Sequence, residues 1–214
     1  MTCNHTANPR DAADGQGPAL SVSIRHASTP FAQPAMATAL RPALDLLTQY
    51  AHYHRDKRNI ATHVVGVPMI VFAVGVLLAR STWQLGSISI TPAGLLFAAF
   101  VLWSLTRGAF ALNLISCVVV GVLIWLAHEV ANSSTVLWLC WGLGSFALGW
   151  VIQFVGHYYE GRKPAFVDDV TGLIVAPMFV VLEVLAPLGM FTGLMHDVER
   201  VAGPVRLRNL AHPA

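Results

Sequence analysis

Four long runs of the chain contain no lysine, arginine, aspartate or glutamate: residues 64–79, 88–105, 109–127 and 136–156. A helix that crosses a bilayer needs about 20 apolar residues, with a range of about 17–25. The runs therefore predict four spans, the first two drawing on flanking residues to reach full length. Trp83, Trp103, Trp125, Trp138 and Trp150 lie at or near the ends of these runs, as interfacial aromatic belts favour. A fifth apolar region, 170–195, differs in kind, because Pro177, Pro187 and Glu183 interrupt it and Gly172, Gly189 and Gly193 loosen it. A carboxylate in hydrocarbon is costly and each proline removes a backbone donor, so this region reads as a broken or hairpin element packed against the bundle. Before the first run, residues 35–53 place Leu40, Leu44, Leu47 and Ala51 on one helical face, with Arg41, Asp45 and Gln49 on others. That segment is too short and too charged to span, and predicts an interfacial or bundle-packing helix. Residues 1–35 have no apolar run behind a basic start, which predicts a disordered tail and no secretory signal. The expected fold is an all-α membrane protein: about four transmembrane helices, an N-terminal interfacial helix and a broken C-terminal helical element. The membrane-embedded domain is expected over 36–200, with a tail over 201–214.

Composition sharpens this reading. The chain is 55% hydrophobic and 11% charged, with a mean hydropathy of +0.60. Soluble domains carry about 25% charged residues. A formal net charge of +2 and the lack of a basic stripe with interleaved aromatics exclude nucleic acid as a partner. Cys3, Cys117 and Cys140 are widely spaced, and two sit in apolar runs, so neither a disulfide framework nor a thiolate metal site is expected. Basic residues cluster before the first run (Arg41, Arg55, Lys57, Arg58), after the fourth (Arg162, Lys163) and near the C-terminus (Arg200, Arg206, Arg208). The loops after the first and third runs carry only Arg80 and none. The positive-inside rule then puts both ends and the 157–169 loop on the cytoplasmic side, as in a bacterial inner membrane, or at the endoplasmic reticulum of a eukaryote.

The candidate chemistry lies in two polar islands. One holds His52, His54, Asn59 and His63 just before the first span; the other holds Gln153, His157, Glu160, Arg162 and Lys163 at the end of the fourth. Four crossings separate them. An even number returns His157 to the membrane face of His63, although 94 positions lie between them. Gln153, His157 and Glu160 fall at i, i+4 and i+7, on one helical stripe. His54 and His63 are nine apart, so a bend near 55–59 is needed to bring them to one cavity. His196, beside Asp197, reaches the same face if the broken region does not cross. Imidazoles gathered in this way suit zinc, iron, copper or nickel. His52 competes with His54 as the ligand. His128 belongs to the opposite face as a structural residue, and His5, His26 and His212 read as solvated.

At these islands the chain resembles a known family. Tyr53-His54, Asn59, His63 and Pro68 follow the pattern Y-H-x4-N-x3-H-x4-P. Trp150-Val-Ile-Gln-Phe-Val-Gly-His157 with Glu160, Arg162, Pro164-Ala165 and Asp168 resembles a second motif, and Ala176-Pro177, Glu183 and His196-Asp197 continue it. The family is that of membrane-bound, iron-dependent 2-hydroxy-fatty-acid dioxygenases, long catalogued as a domain of unknown function, and the resemblance covers roughly 44–200. It implies Fe(II) as cofactor, held by His54, His63, His157 and His196. It also implies an oxygen-consuming reaction that shortens a 2-hydroxy long-chain fatty acid by one carbon, a step of fatty-acid α-oxidation that serves sphingolipid degradation in eukaryotes. Glu160 and Asn59 are the expected catalytic side chains, with Gln153, Arg162 and Lys163 as substrate contacts. Arg162 or Lys163 would pair with the carboxylate, and as a positive-inside anchor either has an equally good reason to be there. Two rival classes stay open at this point: a small transporter or channel gated by polar span ends, and a scaffold with a histidine-bound structural zinc.

Overall fold

The computed structural model describes residues 39–167 and 170–210. The expected tail over 1–35, with Cys3, His5 and His26, and also Asp168 and His212, lie outside the described residues. Those described form seven α-helices and one short β-hairpin.

Helix α1 (Ala43–Ala51) begins at Pro42, whose fixed φ ends the preceding segment; the amide of Ala43 donates to the carbonyl of Arg107 at 2.7 Å. The helix is more deeply buried than an interfacial segment would be, and its inward face is Leu46, Leu47, Tyr50 and Ala51, while Leu40 is exposed. After a five-residue turn comes α2 (Lys57–Ala79), capped by the Asp56 carboxylate, which accepts from the Arg58 amide.

The second apolar run does not become a full span. Ile88–Ile90 pairs with Trp83–Leu85 as a hairpin turning on Gly86 at positive φ, and α3 starts only at Pro92. Thr91 caps that start by accepting from the Gly94 amide, and proline is well placed in a first helical turn. The result, Pro92–Leu105, has 14 residues and is about 21 Å long, short of a hydrocarbon core of about 30 Å. The chain then runs through α4 (Phe110–Ala131) and α5 (Thr135–Glu160).

The fourth helix long and apolar enough to cross is instead α6 (Thr171–Leu185), continued by a 3-10 turn to Leu188. Pro177 sits inside α6 without breaking it, and Glu183 is neutralised by Arg55 at 3.1 Å. The expected break falls later, at Gly189 and Phe191, both at positive φ, ahead of the amphipathic α7 (Thr192–Ala202). With four such helices the chain is a multi-pass membrane protein.

The tightest packing joins α2 to α5, and glycines make it possible. Gly142, Gly149 and Gly156 recur at heptad spacing on α5. A Cβ at Gly149 would come within 2.8 Å of Ile70 and 3.2 Å of the Gly66 carbonyl oxygen, and one at Gly156 would overlap the Thr62 hydroxyl and reach within 2.5 Å of the Asn59 amide oxygen. On its other side α2 presents Gly75 to Ile124 and Ala127 of α4. Helix α6 packs against α1, α2 and α4, and its middle builds the core with Phe179 and Leu182 against Leu46 and Leu47. Beyond Gly203 the chain turns back over the loop between α1 and α2. The Arg206 amide donates to the Arg55 carbonyl at 2.8 Å, the Lys57 amide to the Arg206 carbonyl at 2.9 Å, and the Arg208 amide to Asp56 at 2.7 Å. Residues 204–208 are thus a strap over this loop.

Candidate metal centre

The turn between α1 and α2 makes the bend that the spacing of His54 and His63 demands. His54 sits on that turn, His63 is in the second turn of α2, and the glycine seam draws α5 in close enough to add His157. Ring centroids of His63 and His157 lie 4.4 and 5.0 Å from that of His54. Each histidine offers one nitrogen to a group whose members all lie within 4.8 Å of one another. All three are buried.

The hydrogen bonds dictate which nitrogens face inward. His54 Nδ1 lies 2.7 Å from the Tyr50 carbonyl oxygen, and His63 Nδ1 lies 2.9 Å from that of Asn59. A carbonyl only accepts, so both Nδ1 atoms carry the hydrogen and both Nε2 atoms present lone pairs. Yet the two Nε2 atoms face each other at 3.1 Å. Two lone pairs at that distance repel unless a cation lies between them. A proton is a poor candidate: burial, and then the neighbouring His63, hold the His54 imidazole well below the usual histidine range. A metal ion fits better. Nitrogens each about 2.1 Å from one ion, at near right angles around it, are about 3 Å apart. His157 contributes one ring nitrogen to the same group, and its Nδ1 is buried with no hydrogen-bond partner. The three histidines can therefore hold a metal.

Surrounding residues fix this geometry. Tyr50 stacks on His54 with centroids 4.1 Å apart and planes 10° from parallel, and Phe179 closes on both rings. Burial keeps the Tyr50 phenol protonated by raising its pKa. Glu160 and Asn59, expected to be catalytic, bond each other and the turn between α1 and α2. Glu160 Oε2 accepts from the amides of Arg55 (2.9 Å) and Asp56 (2.7 Å) and from Asn59 Nδ2 (3.1 Å), while Asn59 Nδ2 also donates to the Tyr53 carbonyl. They join the end of α5 to the turn that carries His54. Arg55 extends the hub, donating to the carbonyls of Ala51, His54 and Gly203 and to Glu183. Asp56, hydrogen-bonded first of all by the Arg58 guanidinium, is held down to about 2 and stays charged as the strap's anchor.

The other expected site residues divide. Gln153 is buried and lines the cavity described below. Arg162 is exposed and donates to the His52 carbonyl at 2.8 Å, and Lys163 is exposed outside that cavity. His52 is exposed, which leaves His54 as the inward histidine. His196 does not join the other three: it is exposed on α7, because the break at 189–191 turns that helix back along α1 with Val198, not His196, facing inward. His128 bonds the Ile124 carbonyl and the Thr91 hydroxyl at the far end of the bundle. Tyr50, Phe179 and the glycines of α5 were not singled out from the sequence; the heptad spacing of those glycines is the signal that would have found them.

The histidines open into a cavity of about 580 Å³, walled by α2, α3, α4, α5 and α6. Its described lining is apolar apart from the histidines, Tyr50 and Gln153, with Val67, Phe100, Trp103 and Trp150 among its walls, and among the described residues no arginine or lysine lines it. Its lining on α2 runs from His63 to Val74, about 16 Å along the axis, close to one leaflet of a hydrocarbon core about 30 Å thick.

Two comparisons bear on what such a site does. The chain is similar to the "2-hydroxy-palmitic acid dioxygenase MPO1" of Saccharomyces cerevisiae, 36% identical over 180 residues that cover 78% of this chain and 94% of that protein. No solved structure matches. The family described as "2-hydroxy-palmitic acid dioxygenase Mpo1-like" matches residues 41–188, the stretch that holds α1 to α6 and all three buried histidines. By both measures the chain belongs to the Mpo1-like family.

Proposed function

We propose that the protein is a non-haem Fe(II) dioxygenase that converts a 2-hydroxy long-chain fatty acid to the acid one carbon shorter. The observation that carries this reading is the pair of Nε2 lone pairs held 3.1 Å apart at the head of a leaflet-deep apolar cavity. A metal end and a hydrocarbon end in one site suit an amphiphile with a chelating head. With dioxygen as the oxidant the C1–C2 bond breaks, and the balance closes as the shortened acid, carbon dioxide and water. Ferrous iron, when bound, supplies the electrons that make dioxygen reactive toward a closed-shell substrate.

His54, His63 and His157 would hold the iron and leave positions for the substrate and oxygen. No carboxylate belongs to this group, so among the described residues the donor set is all imidazole. Among the described residues no Lys or Arg lines the cavity, which would leave the metal to meet the substrate carboxylate's charge, while Gln153, which lines it, would bond the head group. Tyr50 lines the head of the cavity and Phe179 packs against Tyr50 and His54, which would keep water from the metal. The site is assigned to the cytoplasmic face, and reporter fusions after Ala51 and after Gly161 should both report cytoplasm.

The test is metal analysis of purified protein, together with oxygen uptake on adding 2-hydroxypalmitate. Expected are bound iron, stoichiometric oxygen consumption, an odd-chain acid as product, and loss of all turnover on chelation. Palmitate should be a far poorer substrate, by about 10⁴–10⁵, because a site built around a hydroxyl is left unpaired without it. Comparable turnover of palmitate would overturn the reading, and zinc retained without any oxygen uptake would favour a structural metal instead.

A further inference from the structure

Among the described residues the cavity is covered at its histidine end and has an apolar flank. On the polar side His54, Arg55 and Asp56 are almost fully buried and the 204–208 strap runs over their loop. On its flank, several residues that line the cavity keep a large accessible surface: Leu96 (51%) and Ala99 on α3, Phe146 (37%) on α5, and Leu173 and Ile174 on α6. Helices α3 and α5 face each other across the cavity without a packed interface between them, whereas each is anchored elsewhere, α3 on α4 and α5 on α2. The gap is therefore a slot between two fixed walls. Its described rim residues are apolar, and on α5 it carries Phe146 and Trp150 in edge contact, with centroids 6.2 Å apart.

We infer that this slot is a lateral portal through which a fatty acid dissolved in the bilayer slides into the cavity, its carboxyl end turned toward the histidines. The inference rests on the proposed function for the identity of the guest. An aqueous entrance would need a polar mouth, and the structure puts a strap there. A membrane entrance needs an apolar mouth at hydrocarbon depth. Phe146 lies eleven residues before His157, about 16 Å along α5 from the metal end, which is such a depth.

The portal is tested by closing it. In protein whose Cys3 and Cys140 are replaced by serine, Leu96→Cys and Phe146→Cys place thiols on opposite rims for bridging with a bifunctional maleimide. Exchange of labelled 2-hydroxypalmitate with phosphatidylcholine vesicles is followed without oxygen, so that binding is read apart from chemistry. Bridging should slow both uptake and release by about one to three decades relative to the unbridged variant, with metal content unchanged. A second variant does not depend on cross-linking: Ala99→Trp should slow exchange, while Leu102→Trp, 72% exposed on the same helix but outside the cavity, should not. Unchanged exchange in the bridged protein, or equal effects of the two tryptophans, would overturn the portal. If oxygen then gives turnover at full rate in the bridged protein, the portal fails and the proposed function stands. If exchange is blocked by bridging but the unbridged protein never oxidises its guest, the proposed function fails instead.

Discussion

His54 and His63 each donate Nδ1–H to a carbonyl four residues earlier, one turn back along the chain. The tautomer, and with it the direction of the lone pair, is thereby set by local backbone before any ion arrives. Replacing His54, His63 or His157 with alanine should abolish metal retention, measured by elemental analysis of the purified variant. His196→Ala and His128→Ala should retain metal, and loss of metal in His196→Ala would return that residue to the ligand set. Glu160→Gln tests positioning. The amide keeps an acceptor but loses the charge that holds three donors, so metal affinity should fall about 10–100-fold, as for other groups that orient ligands indirectly. Should Glu160→Gln instead keep full metal affinity and lose only turnover, a direct catalytic role would be restored. The chain between the two histidine islands does return to one end of the bundle, although α3 is too short to be one of the four full crossings expected between them. At this scale the islands were legible in the sequence, because the histidines cluster in two places. Which partner each side chain takes was not: Glu160 lies on the same stripe as His157 but points at the backbone amides of a turn 105 positions away.

Among helices, the seam between α2 and α5 determines whether His157 meets the other two. Gly149 lies two turns before His157 on the same face, and its neighbours are an isoleucine side chain and a backbone carbonyl, neither free to withdraw. Gly149→Val should therefore destabilise the fold by about 1–3 kcal/mol through overpacking and lower metal occupancy in the fraction that survives in detergent. A thermal shift in detergent reports the first effect and metal analysis the second; normal values of both would mean that the seam has more slack than the structure shows. The glycine spacing was visible in the sequence, but its meaning depended on which partner helix it faced. The run 88–105 misled for a related reason. Hydropathy alone does not separate a strand followed by a short helix from one long helix, and Thr91-Pro92, a helix-start signal, was the residue-level cue. In 170–195 the reverse held. Pro177 and Glu183 looked disruptive, yet a long-range partner, Arg55, makes Glu183 tolerable in α6.

For the molecule as a whole, Tyr50, Arg55, Asp56 and the strap cover the histidines from the polar side, while the slot between α3 and α5 faces hydrocarbon. If the chain oxidises a 2-hydroxy acid as proposed and takes it through the inferred portal, it samples its substrate in two dimensions. The concentration that would then govern its rate is the mole fraction of 2-hydroxy acid in the leaflet, and the amount per volume of buffer would be irrelevant once partitioning is complete. Diluting a fixed quantity of 2-hydroxypalmitate with inert phospholipid should slow turnover in proportion to the added lipid, whereas diluting the same vesicles with buffer should leave the rate per enzyme unchanged. Dependence on bulk volume would show that substrate arrives from water. Chain length then acts twice, once on partitioning and once on fit. In a cavity open along one side, a methylene more or less at the tail costs no more than about 1–3 kcal/mol. On the proposed function, what the cell stores in the bilayer, more than the shape of the protein's wall, would then decide which acids are shortened.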